Sequence, residues 1–190
     1  MNSVVSTIAN KGLYQTSNKA LKALLEKLWV HSLTCAHCAR TISQEIGGVD
    51  DQKVFLMGLL HDIGSVLLLK SLGTAAGEGN EFNRNELLDS IREVHTTFGA
   101  ALLEQWGLGI EYVRIARFHE WTSFPKDAER ELLIINLADN LCSQMGYGFF
   151  EGEWDVASLE SLKALEIDQV RLEDIKEKVR TLMGEAVAVF

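Results

Sequence analysis

Apolar residues recur every three or four positions along most of this chain, the period of an α-helix with one buried face. Leu28, His31, Cys35, Ala39, Ile42 and Ile46 form one such stripe, inside a helix predicted over about 17–46. Gly47-Gly48 ends it. Asp50 or Asp51 caps a second helix that runs to about residue 69 and is apolar on nearly every side, VFLMGLLHDIGSVLLL. Further helices are predicted near 85–106, 109–121, 127–145 and 172–183. A glycine-containing loop at 73–80 and a Gly- and aromatic-rich loop at 146–155 interrupt them, and the first 16 residues read as a short helical or irregular lead. The chain has a single proline and no Asn-Gly or Asp-Gly hairpin signal. The expected fold is all-α, a compact helical bundle in one domain over 1–190.

Polar groups interrupt the apolar faces at a few positions, and the chemistry lies there. His31 sits in the stripe of the first helix. His61 and Asp62 occupy the centre of the second, with Gly58 and Gly64 on either side removing bulk so that another element or an ion comes close. Asp139 shares a face with Leu132, Ile135 and Cys142. His95 falls with Phe98, Gly99, Leu102 and Trp106, and His119 with Tyr112, Ile115 and Ala116. His37 lies instead on a more polar side with Leu33, Arg40 and Gln44.

Burying an unpaired carboxylate costs several kcal/mol or forces it to take a proton. A divalent ion held by imidazoles and carboxylates (Fe, Mn, Ni or Zn) is a direct compensation. Singly, each histidine also fits a hydrogen-bonded core residue, and Asp139 fits a cap or an ion-pair partner. Together, the six groups on core faces of five helices point to metal. The Cys35-x-x-Cys38 pair has no second pair to complete a zinc site, and both residues lie on the buried side of a helix, so they read as packing.

Charge narrows the partners. A formal net charge of −9 repels nucleic acid and anionic membrane, and disfavours anionic substrates unless a bound cation reverses the sign locally. The apolar run 54–69 is shorter than the ~20 residues of a membrane span and holds His61 and Asp62, so it reads as a buried soluble helix. With three cysteines and no charged leader before an apolar block, the expected compartment is the reducing cytoplasm.

Three strings carry a resemblance: Trp29-Val-His-Ser, Gly58-Leu-Leu-His-Asp-Ile-Gly64, and Val94-His-Thr-Thr-Phe-Gly-Ala-Ala-Leu-Leu-Glu-Gln-Trp-Gly-Leu108. They resemble the HDOD family, the HD-related output domain of bacterial signalling proteins, over roughly residues 25–145. The resemblance divides the chain into that HD core, a shortened lead over 1–24, and a C-terminal loop and helix over 146–190. It implies an HD-type bundle and places the chain near metal-dependent phosphohydrolases and phosphodiesterases with an H…HD…D ligand set. Carried over, His31 is the first ligand, His61 and Asp62 the pair, and Asp139 the last. In two-metal members, Asp62 would bridge and His95 and His119 would serve the second ion.

The departures are specific. The cyclic di-guanylate phosphodiesterase branch has His-His-Glu and then Gly-Tyr-Pro, where this chain has Phe118-His119-Glu120 and no Gly-Tyr-Pro. Ser65 stands where a lysine often follows the HD motif, and only about 30 residues precede His31 where a typical HDOD domain has a helical half. One firmly held ion is therefore expected, with a second weakly held or absent. Phe118 offers no donor, and Glu120 lies about 100° around a continuous helix from His119.

The function implied is a cytoplasmic bacterial signal-transduction output domain that keeps a metal site and meets other signalling domains or proteins. An alternative is an active phosphohydrolase or phosphodiesterase acting on a phosphorylated small molecule or nucleotide. There, metal-activated water attacks in line, Asp62 assists, and Arg114 and Arg117 are the nearest anion contacts in sequence. A second alternative is a metal-free structural interaction module.

Overall fold

The computed structural model describes residues 11–75 and 83–187; the lead over 1–10 and the expected loop over 76–80 lie outside the described residues. After a 3-10 turn (Lys11–Tyr14), helix α1 (Lys19–Ile46) is followed by α2 (Asp51–Leu60), α3 (Ile63–Ala75), α4 (Arg84–Gln105) and α5 (Ile110–Phe118). Then come α6 (Arg130–Cys142), a π-turn (Ser143–Tyr147), a 3-10 turn (Val156–Ser158), α7 (Glu160–Ala164) and α8 (Gln169–Val187). No strand occurs among the described residues, as the helical periodicity requires.

Helix α1 ends where Gly47 and Gly48 take φ of +65° and +78°, the left-handed conformation that glycine adopts without a Cβ penalty. Asp50 caps α2 by accepting from the backbone N–H of Gln52 and Lys53. The single long helix expected over about 50–69 is divided in two at His61-Asp62, with His61 still right-handed helical at φ −53° and ψ −38°. Beyond that junction α3 extends to Ala75, so the expected loop begins later than residue 73. The short α7 and the turn Val156–Ser158 carry no clear apolar period and were not expected.

Helix α1 is central and packs against α2, α3, α6 and α8, while α3 packs on α4 and α4 on α5. Two apolar clusters result. One gathers Cys35, Cys38 and Ile42 of α1 with Leu132–Cys142 and with Ile175 and Val179 of α8. The other gathers Leu21–Trp29 of α1 with Leu59, Leu60, Ile63 and Leu69, plus Ile91 and Leu103 of α4. His31 falls on α1 between Leu28 of the second cluster and Cys35 of the first. The 51–72 stretch is apolar and long enough to cross a membrane, yet 67% of its most apolar window is buried inside the fold, as in a core helix pair.

Glycines set two helix crossings. A Cβ on Gly58 would stand 2.7 Å from the Ala36 Cα, and one on Gly64 would stand 2.1 Å from the His95 carbonyl oxygen. These close approaches bring α2 onto α1 and α3 onto α4, and so carry the His61-Asp62 junction up to His31 and His95. One expectation is corrected here. The buried face of α4 is Ile91, His95, Gly99, Ala100 and Leu103, while Phe98 and Trp106 are exposed. The close Gly64–Gly99 contact sets the rotation of α4, and it turns Phe98 and Trp106 outward.

Candidate metal centre

Six side chains from five segments meet at one place. His31 comes from α1, His61 and Asp62 from the α2–α3 junction, His95 from α4, His119 from the residue after α5, and Asp139 from α6. All six are buried, Asp139 the least at 9% exposure. His37 lies outside this group, half-buried with its ring against Phe55.

Each imidazole is held from behind. The His61 Nδ1 lies 2.7 Å from the Gly58 carbonyl, and the His31 Nδ1 lies 3.2 Å from the Tyr147 carbonyl. The His95 Nδ1 reaches the Ile91 and Arg92 carbonyls at 3.1 and 3.0 Å. The His119 Nδ1 reaches those of Ile115 and Ala116 at 3.3 and 3.1 Å. A carbonyl oxygen only accepts, so each Nδ1 carries the proton and donates it. In the neutral ring every Nε2 is then a lone pair, and the four lone pairs converge. This is the usual posture of ligating histidines, whose second nitrogen is fixed by an outer acceptor.

The inward atoms lie close together without enough protons to satisfy them. The Nε2 atoms of His31 and His61 are 3.2 Å apart. The Asp139 Oδ1 is 3.3 Å from the His31 Nε2 and 3.9 Å from the His61 Nε2. Asp62 faces both ways. Its Oδ2 is 3.5 Å from His31 and 3.9 Å from His61, and its Oδ1 is 3.3 Å from His95 and 3.6 Å from His119. The Asp62 Oδ1 and His95 Nε2 are buried with no hydrogen-bond partner. Two donors each ~2.1 Å from one ion at the tetrahedral angle lie ~3.4 Å apart. The observed separations bracket that value, so these residues fit a divalent ion.

The electrostatics agree. Burial pulls His61 down to about 4 against the opposing charge of Asp62, and pulls His119 down to about 3 with help from His61, so both imidazoles are neutral at neutral pH. Burial raises Asp62, but the four surrounding imidazoles outweigh it and hold the carboxyl below the usual carboxylate range. Burial lowers His31, yet Cys142, Asp139 and Asp62 push it up to about 10, so without an ion a proton takes the lone pair that this ring would offer a cation. Burial also drives Asp139 well above the usual carboxylate range. The cluster thus demands positive charge at its centre, which a bound cation supplies directly.

The structure brings together the expected metal ligands His31, His61, Asp62 and Asp139 with His95 and His119, but not the expected anion contacts Arg114 and Arg117. Arg114 ion-pairs with Glu129 at 2.7 Å, and Arg117 is exposed. One expectation is overturned. Helix α5 stops at Phe118, so Glu120 does not continue the helix but turns back, its Oε1 lying 3.7 Å from the His95 Nε2. Asn136 holds that turn by donating to the carbonyls of His119 at 2.7 Å and Trp121 at 3.0 Å. Phe118 packs on Trp121 with ring centroids 4.3 Å apart.

The loop after α6 contributes contacts that no motif announces. Besides the Tyr147 carbonyl behind His31, it sets the Phe150 ring 5.5 Å from that of His95. Arg92 lies over the Phe150 ring at 4.8 Å and donates to the Glu151 carbonyl. The three free cysteines are fully buried, and Cys142 reaches the His31 Nδ1 at 3.5 Å.

Among solved structures, an HDOD domain protein of unknown function from Geobacter sulfurreducens matches 87% of this chain at 22% identity and a TM-score of 0.60. The chain spans 60% of that protein's length. The HD domain of the phosphodiesterase PgpH from L. monocytogenes matches 85% of the chain and 94% of that domain, at 19% identity and a TM-score of 0.54. The same domain in complex with cyclic-di-AMP matches with a TM-score of 0.52, at 19% identity over 84% of this chain and 91% of that domain. At these identities the likeness is one of fold. No curated protein sequence matches the chain. The family model of the HDOD domain matches residues 1–121, more than half of the 190, and the chain therefore belongs to the HDOD family.

Proposed function

We propose that the cluster is a divalent-metal centre and that this HDOD domain is a metal-dependent phosphohydrolase. One observation carries the reading: four imidazoles, each tethered through Nδ1 to a backbone carbonyl, turn Nε2 lone pairs onto two buried carboxylates. Few structural roles use such an arrangement, since it sets acceptors against acceptors. His31, His61, Asp62 and Asp139 would hold the ion, of the Fe, Mn, Ni or Zn class. The chemistry such an ion supplies is Lewis acidity, which lowers the pKa of a bound water and polarises a phosphoryl oxygen.

The chain's own residues do the rest. The carbonyl tethers fix ring orientation before substrate arrives, and burial keeps His61 and His119 neutral. Asp62 offers one oxygen to each half of the cluster. Arg92, exposed on the Phe150 ring, is a cation at the rim suited to a phosphate oxygen. That a structural neighbour is complexed with cyclic-di-AMP supports a nucleotide or another phosphorylated small molecule as the substrate class. The acidic charge argues against nucleic acid and membrane partners, and the three free cysteines support a cytoplasmic setting.

A second reading is favoured by a different observation. On α4, Val94 and Phe98 lie four residues apart and are 45% and 40% exposed, an apolar edge suited to contact with other signalling domains or proteins. An assay separates the two readings. The Mn-loaded chain is tested on bis-p-nitrophenyl phosphate and cyclic dinucleotides, beside Asp62→Asn. Turnover in the wild type that Asp62→Asn abolishes supports the hydrolase. No turnover on any phosphodiester or phosphomonoester, with metal bound, leaves the signalling role.

A further inference from the structure

A concavity of about 450 Å³ opens in the loop that follows α6, a size common for small-molecule sites. Both ends of the loop line it, Ser143 and Gln144 at one and Gly152 and Trp154 at the other. The Gln144 Nε2 ties the two ends by donating to the Trp154 carbonyl at 3.1 Å. The pocket shares its walls with the metal centre. Gly146 and Gly148 line it on either side of Tyr147, whose carbonyl holds the Nδ1 of His31. Phe150 also lines it, with its ring 5.5 Å from that of His95. The pocket therefore lies on the outer side of His31, away from the Nε2 atoms, and Phe150 connects it to the cluster.

The lining has the chemistry of a nucleotide site. Lys27 of α1 belongs to it, one helical turn before His31 and so on the same face. It is half-buried and forms no ion pair or hydrogen bond among the described residues. In a chain where 27 acidic residues face 18 lysines and arginines, such a cation is set aside for an anion from outside. Trp154 and Phe150 add two half-buried aromatic rings. Gly146, at φ +90°, leaves the backbone bare where a ligand approaches. Glu151, the one carboxylate in the lining, is exposed to water. Arg92 lies over the Phe150 ring at 4.8 Å, so a second cation stands beside the ring that joins pocket and cluster.

We propose that this pocket is a recognition subsite for a nucleotide carrying a second phosphate, one that the metal centre does not cleave. Lys27 binds that phosphate and the base lies on Trp154. The proposal rests on the phosphohydrolase reading, in which the scissile phosphate sits at the cluster with Arg92 at its rim. Two cations on either side of Phe150 match two phosphates in sequence, and they offset locally the acidic charge that otherwise repels such a ligand. Lys27 and Trp154 thus set which phosphate esters are accepted, and they leave the chemistry to the cluster.

The test is binding of the methylene-bridged analogue of ADP, whose bridge resists hydrolysis, to the Mn-loaded full chain by isothermal titration calorimetry. Inorganic phosphate is the single-phosphate control, and bound Mn(II) is counted in every sample. Wild type is expected to bind the analogue. Lys27→Gln is expected to weaken it about tenfold, the scale of one charge-assisted hydrogen bond, with Mn(II) content unchanged. Trp154→Ala is expected to weaken it by a similar factor of about ten through lost stacking, and Trp154→Phe to restore most of the affinity. Inorganic phosphate should bind wild type and Lys27→Gln alike. A Mn-loaded wild type that does not bind the analogue, or Lys27→Gln with unchanged affinity for it, overturns the subsite and leaves the metal centre standing. Equal losses for the analogue and for inorganic phosphate in Lys27→Gln would also overturn it, because Lys27 would then act at the cluster. A wild type that takes up no Mn(II) overturns the metal centre and the subsite together.

Discussion

Gly64→Ala is the most informative packing change. In the native fold an added Cβ would stand 2.1 Å from the His95 carbonyl oxygen, 2.7 Å from the Gly99 nitrogen and 3.0 Å from the His95 carbonyl carbon. All three are backbone atoms, so no rotamer change relieves the clash, and α3 and α4 must separate by about 1 Å to restore van der Waals contact. Overpacking of this kind costs typically 1–3 kcal/mol, and the upper end applies where backbone meets backbone. The better helix propensity of alanine returns ~1 kcal/mol. The net loss is about 2 kcal/mol, a fall in Tm of about 4–8 °C for a chain of this size. Gly99→Ala is the control. Its Cβ would come no closer than 3.2 Å to the Gly64 nitrogen, which a small shift accommodates. Thermal unfolding followed by circular dichroism, at fixed metal concentration, compares the two. A Gly64→Ala protein that melts within a degree of wild type, or below which Gly99→Ala falls, refutes the crossing as the determinant of the α3–α4 geometry.

Other outcomes follow from the same contacts. Asn136→Ala strands the His119 and Trp121 carbonyls and the Ser161 hydroxyl, which donates to the Asn136 Oδ1 at 2.6 Å; a loss of about 2–4 kcal/mol is expected in denaturant unfolding. Because Asn136 also holds the turn that carries His119, metal retention in a chelator challenge should fall with it, and unchanged retention would show that the turn is held elsewhere. Asp62→Ala is expected to abolish tight metal binding and Cys38→Ala to leave it nearly intact, measured as bound metal per chain; equal loss in both would place the cysteines in the centre. Phe150→Ala removes the ring beside His95 and the seat of Arg92, so the bound ion should exchange faster in a chelator challenge, while stability changes little at this half-buried position.

Much of this architecture was legible in the chain itself, because its causes are local. The Gly47-Gly48 stop and the Asp50 cap are encoded within a few residues of where they act. The convergence of His31, His61, Asp62 and Asp139 was legible because polar groups on otherwise apolar helical faces have nowhere else to go. Three features were not legible, and each has a tertiary cause. His61 remains helical in its backbone dihedrals, so the division between α2 and α3 carries no sequence mark such as a proline. The rotation of α4 is set by the Gly64–Gly99 contact with another helix, which put Phe98 and Trp106 outside despite their spacing from His95. Glu120 was misplaced by assuming a continuous helix. What ends α5 early is a pair of hydrogen bonds from Asn136, 15–17 residues away, and no local signal announces them.

The metal content of the wild-type protein, purified without chelator and read by inductively coupled plasma mass spectrometry, tests the metal centre most directly. At least one first-row transition ion per chain is expected, because four inward imidazole lone pairs and two buried carboxylates leave a charge deficit that protons alone satisfy poorly. Protein that carries no such ion above background, and takes up none from added Mn(II) or Fe(II), would contradict it.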